Sequence, residues 1–187
     1  MKAAPPPNDS GEILLEDAEQ RPCDNHDERP PGHGVDLLVI HSISLPPGEF
    51  GGPWIDALFM NRLDPDAHPY FRKIHGLRVS CHLLIPRDGR LIQYVPLNRR
   101  AWHAGVSSFH GRQRCNDFSI GIELEGSDNK PFTDSQYTAL IHATRAIRAR
   151  FPAITRDRIT SHAAIAPDRK SDPGPRFDWS RYLTSLD

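Results

Sequence analysis

Residues 35–40, Val-Asp-Leu-Leu-Val-Ile, make a short run of aliphatic and β-branched side chains that stops at His41. Such a run reads as a strand buried on both faces, because it keeps no polar side for water. The sheet that holds it must be covered twice. Cover is available: Thr133 with Gln136 three residues later fits a capping box, and Tyr137, Leu140, Ile141, Thr144, Ile147 and Phe151 recur at helical spacing up to Pro152.

The remaining elements are shorter. Two apolar runs, 79–85 and 91–95, flank Pro86-Arg-Asp-Gly-Arg90 and predict a hairpin. Ser119-Ile-Gly-Ile-Glu-Leu124 alternates, so Ile120, Ile122 and Leu124 share one face while Gly121 and Glu123 share the other. Strand-like residues 158–161 deliver His162, and Asp178 caps a last amphipathic helix through Trp179, Tyr182, Leu183 and Leu186. Short helical pieces are expected at 54–59 and 67–74, after a loop rich in Gly and Pro. Strands interspersed with helices predict a single α/β domain with a mixed central β-sheet flanked by helices.

Size and charge narrow the function. At 187 residues the chain is the length of one domain and should bury about 70% of its unfolded surface. Lys plus Arg number 23 against 24 Asp plus Glu, so no overall field selects nucleic acid or an anionic bilayer. Apolar stretches of a few residues fall far short of the ~20 needed to cross a membrane. Residues 1–36 hold nine acids and three bases with clustered prolines, and 1–20 are expected to form a flexible tail ahead of a domain at 21–187. The amino terminus lacks the apolar core of a secretory signal, and three widely spaced cysteines, Cys23, Cys81 and Cys115, suit free thiols. Both point to a cytoplasmic protein with no evident obligatory protein partner.

Position singles out a few of the ten histidines. His41 and His162 each follow an apolar strand, where side chains converge beyond a sheet's edge. Asp172, ten residues after His162, is stiffened by Pro173. Two His and one carboxylate leave a divalent metal with an open position, the arrangement that activates water. The same residues also fit two structural histidines and a charged surface turn.

Five segments carry a resemblance: residues 41–54, Leu77-Arg-Val-Ser-Cys-His82, Ala101-Trp-His-Ala-Gly105, residues 114–126, and His162 through Pro175. Together they resemble the AmpD-type 1,6-anhydro-N-acetylmuramoyl-L-alanine amidases, from about Arg21 to the end of the chain. The resemblance implies a cytoplasmic zinc amidase of peptidoglycan recycling, acting on an anhydromuropeptide, with a fold shared by phage amidases and peptidoglycan recognition proteins. It implies His41, His162 and Asp172 as zinc ligands, Glu123 as the residue acting on water, and Lys170 as the cation beside the developing oxyanion.

Substrate contacts follow from local charge. Residues 72–115 contain nine Arg or Lys and one acid, Asp88, with Arg78 and Arg114 the expected partners for stem-peptide carboxylates. Trp102 fits either a ring laid against substrate or a buried core residue. His82 and His103 read as groups beside the ligands rather than ligands. Ser42 stands where many family members carry Asn, which removes an amide from a substrate-facing position. Rival readings are a muropeptide-binding module of the same fold, a non-haem iron oxygenase with the same ligand triad, and a cysteine hydrolase using Cys81 beside His82. The last is the weakest, since adjacent strand residues point to opposite faces.

Overall fold

A computed structural model describes residues 11–186. Its strands are β1 (Glu19–Gln20), β2 (His26–Asp27), β3 (Leu37–Ile43), β4 (Leu83–Ile85), β5 (Ile92–Gln93), β6 (Arg100–Ala101), β7 (Ser108–Phe109), β8 (Arg112–Gln113), β9 (Ser119–Glu125) and β10 (Ile159–Ser161). The helices are α1 (Trp54–Phe59), α2 (Asp134–Arg150), α3 (His162–Ile165) and α4 (Trp179–Thr184). Six strands form the central sheet in the order β1-β5-β4-β9-β3-β10. Strands β4, β9, β3 and β10 run parallel, and β5 pairs antiparallel to β4. The fold is the α/β arrangement with a mixed sheet that the sequence predicts.

The buried run near residue 40 sorts its side chains by the pleat. Leu38 and Ile40 join Ile120, Ile122 and Leu124 against Leu140, Ala143 and Ile147 of α2 and Tyr182 of α4. Leu37 and Val39 face the other way, toward Ala104, Cys115, Phe118 and Ile165. Each fully buried aliphatic side chain of this kind stabilises the fold by about 1.5–3 kcal/mol. A further apolar group packs Ile55, Leu58 and Phe59 of α1 over Leu84, Ile92 and Tyr94.

Helix α2 begins where the sequence places it. The Thr133 hydroxyl accepts from the Gln136 amide at 3.1 Å, and the Gln136 side-chain oxygen accepts from the Thr133 amide at 3.1 Å. The same glutamine donates to the carbonyls of Ile85 and Glu125 at 3.0 and 2.9 Å, so the cap also ties the helix to the ends of β4 and β9.

Three expectations need correction. His41 does not follow its strand; it lies inside β3, opposite Glu123. The helical piece expected at 67–74 is a single 3-10 turn at Phe71–Lys73. The expected tail at 1–20 is joined to the domain from residue 11: β1 pairs with β5, Ala18 is buried, and the Leu15 amide donates to the Gln93 side chain at 2.8 Å. Backbone groups make that edge while the Glu19 and Gln20 side chains stay exposed, so composition alone carried no sign of it. Residues 1–10 of the expected tail lie outside the described residues.

Thr133→Ala should lower the unfolding free energy by about 1 kcal/mol, the usual cost of an N-cap. Urea denaturation followed by circular dichroism measures it.

Candidate metal centre

Three parallel strands bring side chains to one place. Strand β3 contributes His41, its neighbour β9 contributes Glu123, and β10, on the other side of β3, leads straight into His162 at the start of α3. The Ser161 hydroxyl accepts from the Ala164 amide at 2.9 Å and fixes the first turn of α3, which aims His162 back at the sheet. Asp172 arrives from the following loop, anchored where its own carbonyl accepts from the Ala163 amide at 3.0 Å.

The result is a tight triangle. His41 Nδ1 lies 2.9 Å from His162 Nδ1 and 3.1 Å from Asp172 Oδ2, and His162 Nδ1 lies 3.0 Å from the same oxygen. Each atom carries a lone pair. His162 Nε2 faces the Ala104 carbonyl at 3.2 Å, and a carbonyl only accepts, so in the neutral ring Nδ1 is left bare. Burial pushes the His41 imidazole down to about 4, so it is neutral near pH 7. Lone-pair atoms crowded this way need positive charge among them. Two imidazoles and one carboxylate form a donor set suited to zinc, and the residues fit such an ion.

Glu123 stands beside this triangle with Oε1 3.9 Å from His41 Nδ1. Its other oxygen is buried and has no hydrogen-bond partner. Burial, and then the nearby Asp172 carboxylate, push its carboxyl well above the ordinary value, while Lys170 pulls the other way. A carboxyl held beside the ligand atoms in this manner is placed to take up and release a proton.

A cavity of about 690 Å³ opens over the cluster, lined among others by Ser42, Trp102, His103, Glu123, Lys170 and Asp172. Trp102 is half-buried and lines this space. Arg78 is exposed and does not line the cavity, although its neighbours Leu77 and Val79 do. Arg114 also lies outside it, exposed and paired with Asp117 at 3.1 Å. Sequence reasoning passed over Arg169, which lines the wall and donates to the carbonyls of Ala104 and Val106 at 2.8 and 2.7 Å. It clamps the loop whose Ala104 carbonyl orients His162. Its place in the 166–175 segment was the available signal, but the arginine there read as part of a charged turn.

A family model for N-acetylmuramoyl-L-alanine amidase matches residues 31–175. The chain belongs to the N-acetylmuramoyl-L-alanine amidase family. It is 60% identical over 172 residues to the 1,6-anhydro-N-acetylmuramyl-L-alanine amidase AmpD of Enterobacter cloacae, covering 92% of this chain and 91% of that protein. A crystal structure of a selenomethionine AmpD derivative superposes with a TM-score of 0.90 at 57% identity, over 93% of this chain and 97% of that one. The Escherichia coli amidase AmiD, solved with anhydro-N-acetylmuramic acid-L-Ala-D-gamma-Glu-L-Lys, superposes with a TM-score of 0.61 at 32% identity, over 84% of this chain and 60% of that one.

Within this amidase the cysteines stand apart from the chemistry. Cys23, Cys81 and Cys115 are free and buried, and burial pushes the Cys81 thiol well above its ordinary value, which leaves no thiolate for a cysteine hydrolase. No helix among the described residues is long and apolar enough to cross a membrane.

His82 lies one ring beyond His103, with centroids 5.7 Å apart, and touches none of the triangle. It accepts from the Gly121 amide at 3.0 Å through Nδ1, so Nε2 carries the proton and faces the Arg99 carbonyl at 3.0 Å. Burial, and then the Arg29 guanidinium, push its imidazole down to about 3. An unfolded histidine titrates near 6.5, so the neutral ring supports the fold fully above that pH and the support is lost as pH falls toward the folded value. One such group adds a slope of at most about 1.4 kcal/mol per pH unit. Urea titrations from pH 7 to 4 should show a shallower loss of stability in His82→Asn than in the parent chain.

Proposed function

We propose that this amidase hydrolyses the amide joining the lactyl group of 1,6-anhydro-N-acetylmuramic acid to L-alanine, with zinc held by His41, His162 and Asp172. The observation that carries the reading is the triangle of donor atoms 2.9–3.1 Å apart with the unpartnered Glu123 oxygen beside it. Relatives named for this reaction, at 60% identity over most of their length, support the substrate. The chemistry an ion supplies in such a set is Lewis acidity toward water and the scissile carbonyl.

The chain's own residues do the rest. Glu123 takes the proton from the attacking water as the new carbon–oxygen bond forms. It returns that proton to the L-alanine nitrogen as the carbon–nitrogen bond breaks. Lys170, exposed on the cavity wall, places positive charge where the carbonyl oxygen becomes negative. Ser42 and Trp102 line the same space and are proposed to face the sugar and the first peptide residues. Arg78 is proposed to reach the stem-peptide carboxylate from beside Leu77 and Val79, with Arg114 behind the Ser107 carbonyl that its amide contacts at 2.9 Å. Three free, buried cysteines support a cytoplasmic location, and wall-fragment recycling is the process this substrate implies.

Mass spectrometry of zinc-loaded protein incubated with anhydromuropeptide should show free stem peptide. Chelation or Asp172→Ala should abolish it. Turnover by a folded, zinc-free Asp172→Ala variant overturns the mechanism, as does binding of intact muropeptide with no product. Iron in place of zinc with a requirement for oxygen would favour the oxygenase reading.

The proton-carrying role separates from metal binding. Glu123→Gln should retain zinc and substrate affinity while kcat falls by about 10²–10⁴-fold. Lys170→Met should cost about 10²–10³-fold in kcat. Steady-state kinetics alongside zinc titration measure both.

A further inference from the structure

Gly121 sits in the middle of β9, on the face that carries Glu123, with no side chain where its neighbours have one. A Cβ built there would meet His103 Cγ at 2.5 Å and Nδ1 at 2.6 Å. The space a side chain would fill is occupied by the imidazole of His103, which arrives from the loop after β6. That loop is fixed from below: the Asn116 side-chain oxygen accepts from the amides of His103 and Ala104 at 3.1 and 2.8 Å.

The ring spans two contacts. His103 Nδ1 lies 2.9 Å from His41 Nε2, and His103 Nε2 lies 3.2 Å from the Ser119 hydroxyl. The His41 and His103 rings meet edge to face, with centroids 5.0 Å apart and planes at 86°. His41 is wholly buried. When Nδ1 of a neutral histidine ligates a metal, its proton stands on Nε2, and a buried N–H needs an acceptor. His162 has one in the Ala104 carbonyl. For His41 the group at that nitrogen is His103 Nδ1.

We propose that His103, seated in the space vacated by Gly121, is a positioning residue that accepts the Nε2 proton of His41 and thereby holds that ring in the tautomer and orientation required of a metal ligand. The inference rests on reading His41, His162 and Asp172 as the metal site. Ser119 completes the chain by accepting from His103 Nε2. The glycine is then needed for the ligand rather than for a turn, because any larger side chain expels the supporting ring.

Zinc affinity, measured by competition with a chromogenic chelator, tests this without reference to turnover. The parent chain should bind one zinc, and Asp172→Ala should abolish tight binding. His103→Leu keeps the volume but removes the acceptor, and should weaken zinc binding by about 10–100-fold. His103→Asn places an amide oxygen near the position of Nδ1 and should recover most of that loss, which a merely space-filling role would not predict. Gly121→Ala should weaken zinc binding to a similar degree, yet cost nothing further when added to His103→Ala, since the clash is then gone. This last pair decides the matter if His103→Leu fails to give a native circular dichroism spectrum.

Zinc binding by folded His103→Leu equal to the parent overturns the positioning role and leaves the metal site standing, and additive losses for Gly121→Ala and His103→Ala also overturn it. A parent chain whose zinc binding is unaffected by Asp172→Ala overturns the metal site itself, and the positioning role with it.

Discussion

Three lone-pair atoms held about 3 Å from one another are a high-energy arrangement that the rest of the domain exists to maintain. Without a proton or a metal ion among them they repel, and burial removes the water that would otherwise screen the repulsion. The atoms stay together because their carriers are tied to backbone that cannot move independently. His41 is in the middle of the sheet, His162 is on the first turn of a helix leaving the adjacent strand, and Asp172 hangs from a carbonyl bonded to that same helix. An ion bound here would therefore spend none of its binding energy on gathering ligands. The cost has already been met by the apolar layers that make the sheet rigid.

Those layers and the chemistry share the same strands without interfering, because a pleat sends alternate residues to opposite sides. On β3, Leu38 and Ile40 hold α2 while Leu37 and Val39, on the same face as His41, pack on Ala104, Cys115, Phe118 and Ile165. The long helix is thus a buttress. Its cap bonds nevertheless reach the Ile85 and Glu125 carbonyls at the ends of β4 and β9. Loss of that anchorage would loosen the strand that carries Glu123.

What could be read from sequence follows the same division. Alternation in residues 119–124 gave the correct facing of Glu123, and the capping box placed the start of α2 to the residue, since both are local patterns with a fixed period or spacing. The continuation of β3 through His41 to Ile43 was hidden because polar Ser42 follows the histidine and breaks the apolar run. The pairing of Glu19–Gln20 with β5 uses backbone groups only, and backbone bonding leaves no mark on composition. His103 read from sequence as a group beside the ligands, and the structure sets it against His41, whereas the Arg169 clamp was invisible: it joins segments more than sixty residues apart, and an arginine in a charged turn announces no such partner. The geometry of the triangle itself could be approached only through resemblance, since nothing in the spacing of 41, 162 and 172 fixes a distance.

The odd positions of β9 give the most specific account of why this strand has its sequence. Ser119 offers a hydroxyl to His103, Gly121 offers empty space for the same ring, and Glu123 lines the cavity with one buried oxygen left unpartnered. These are three different demands at intervals of two residues, all on one face. Across the ladder they stand opposite Leu37, Val39 and His41. A slip of one residue in that pairing would turn Ile120, Ile122 and Leu124 toward His41, His162 and Asp172 and the carboxyl toward α2. The apolar face that locks the register against α2 is therefore also what keeps the Glu123 carboxyl beside His41, and the stability of the core and the accuracy of the site depend on one pairing.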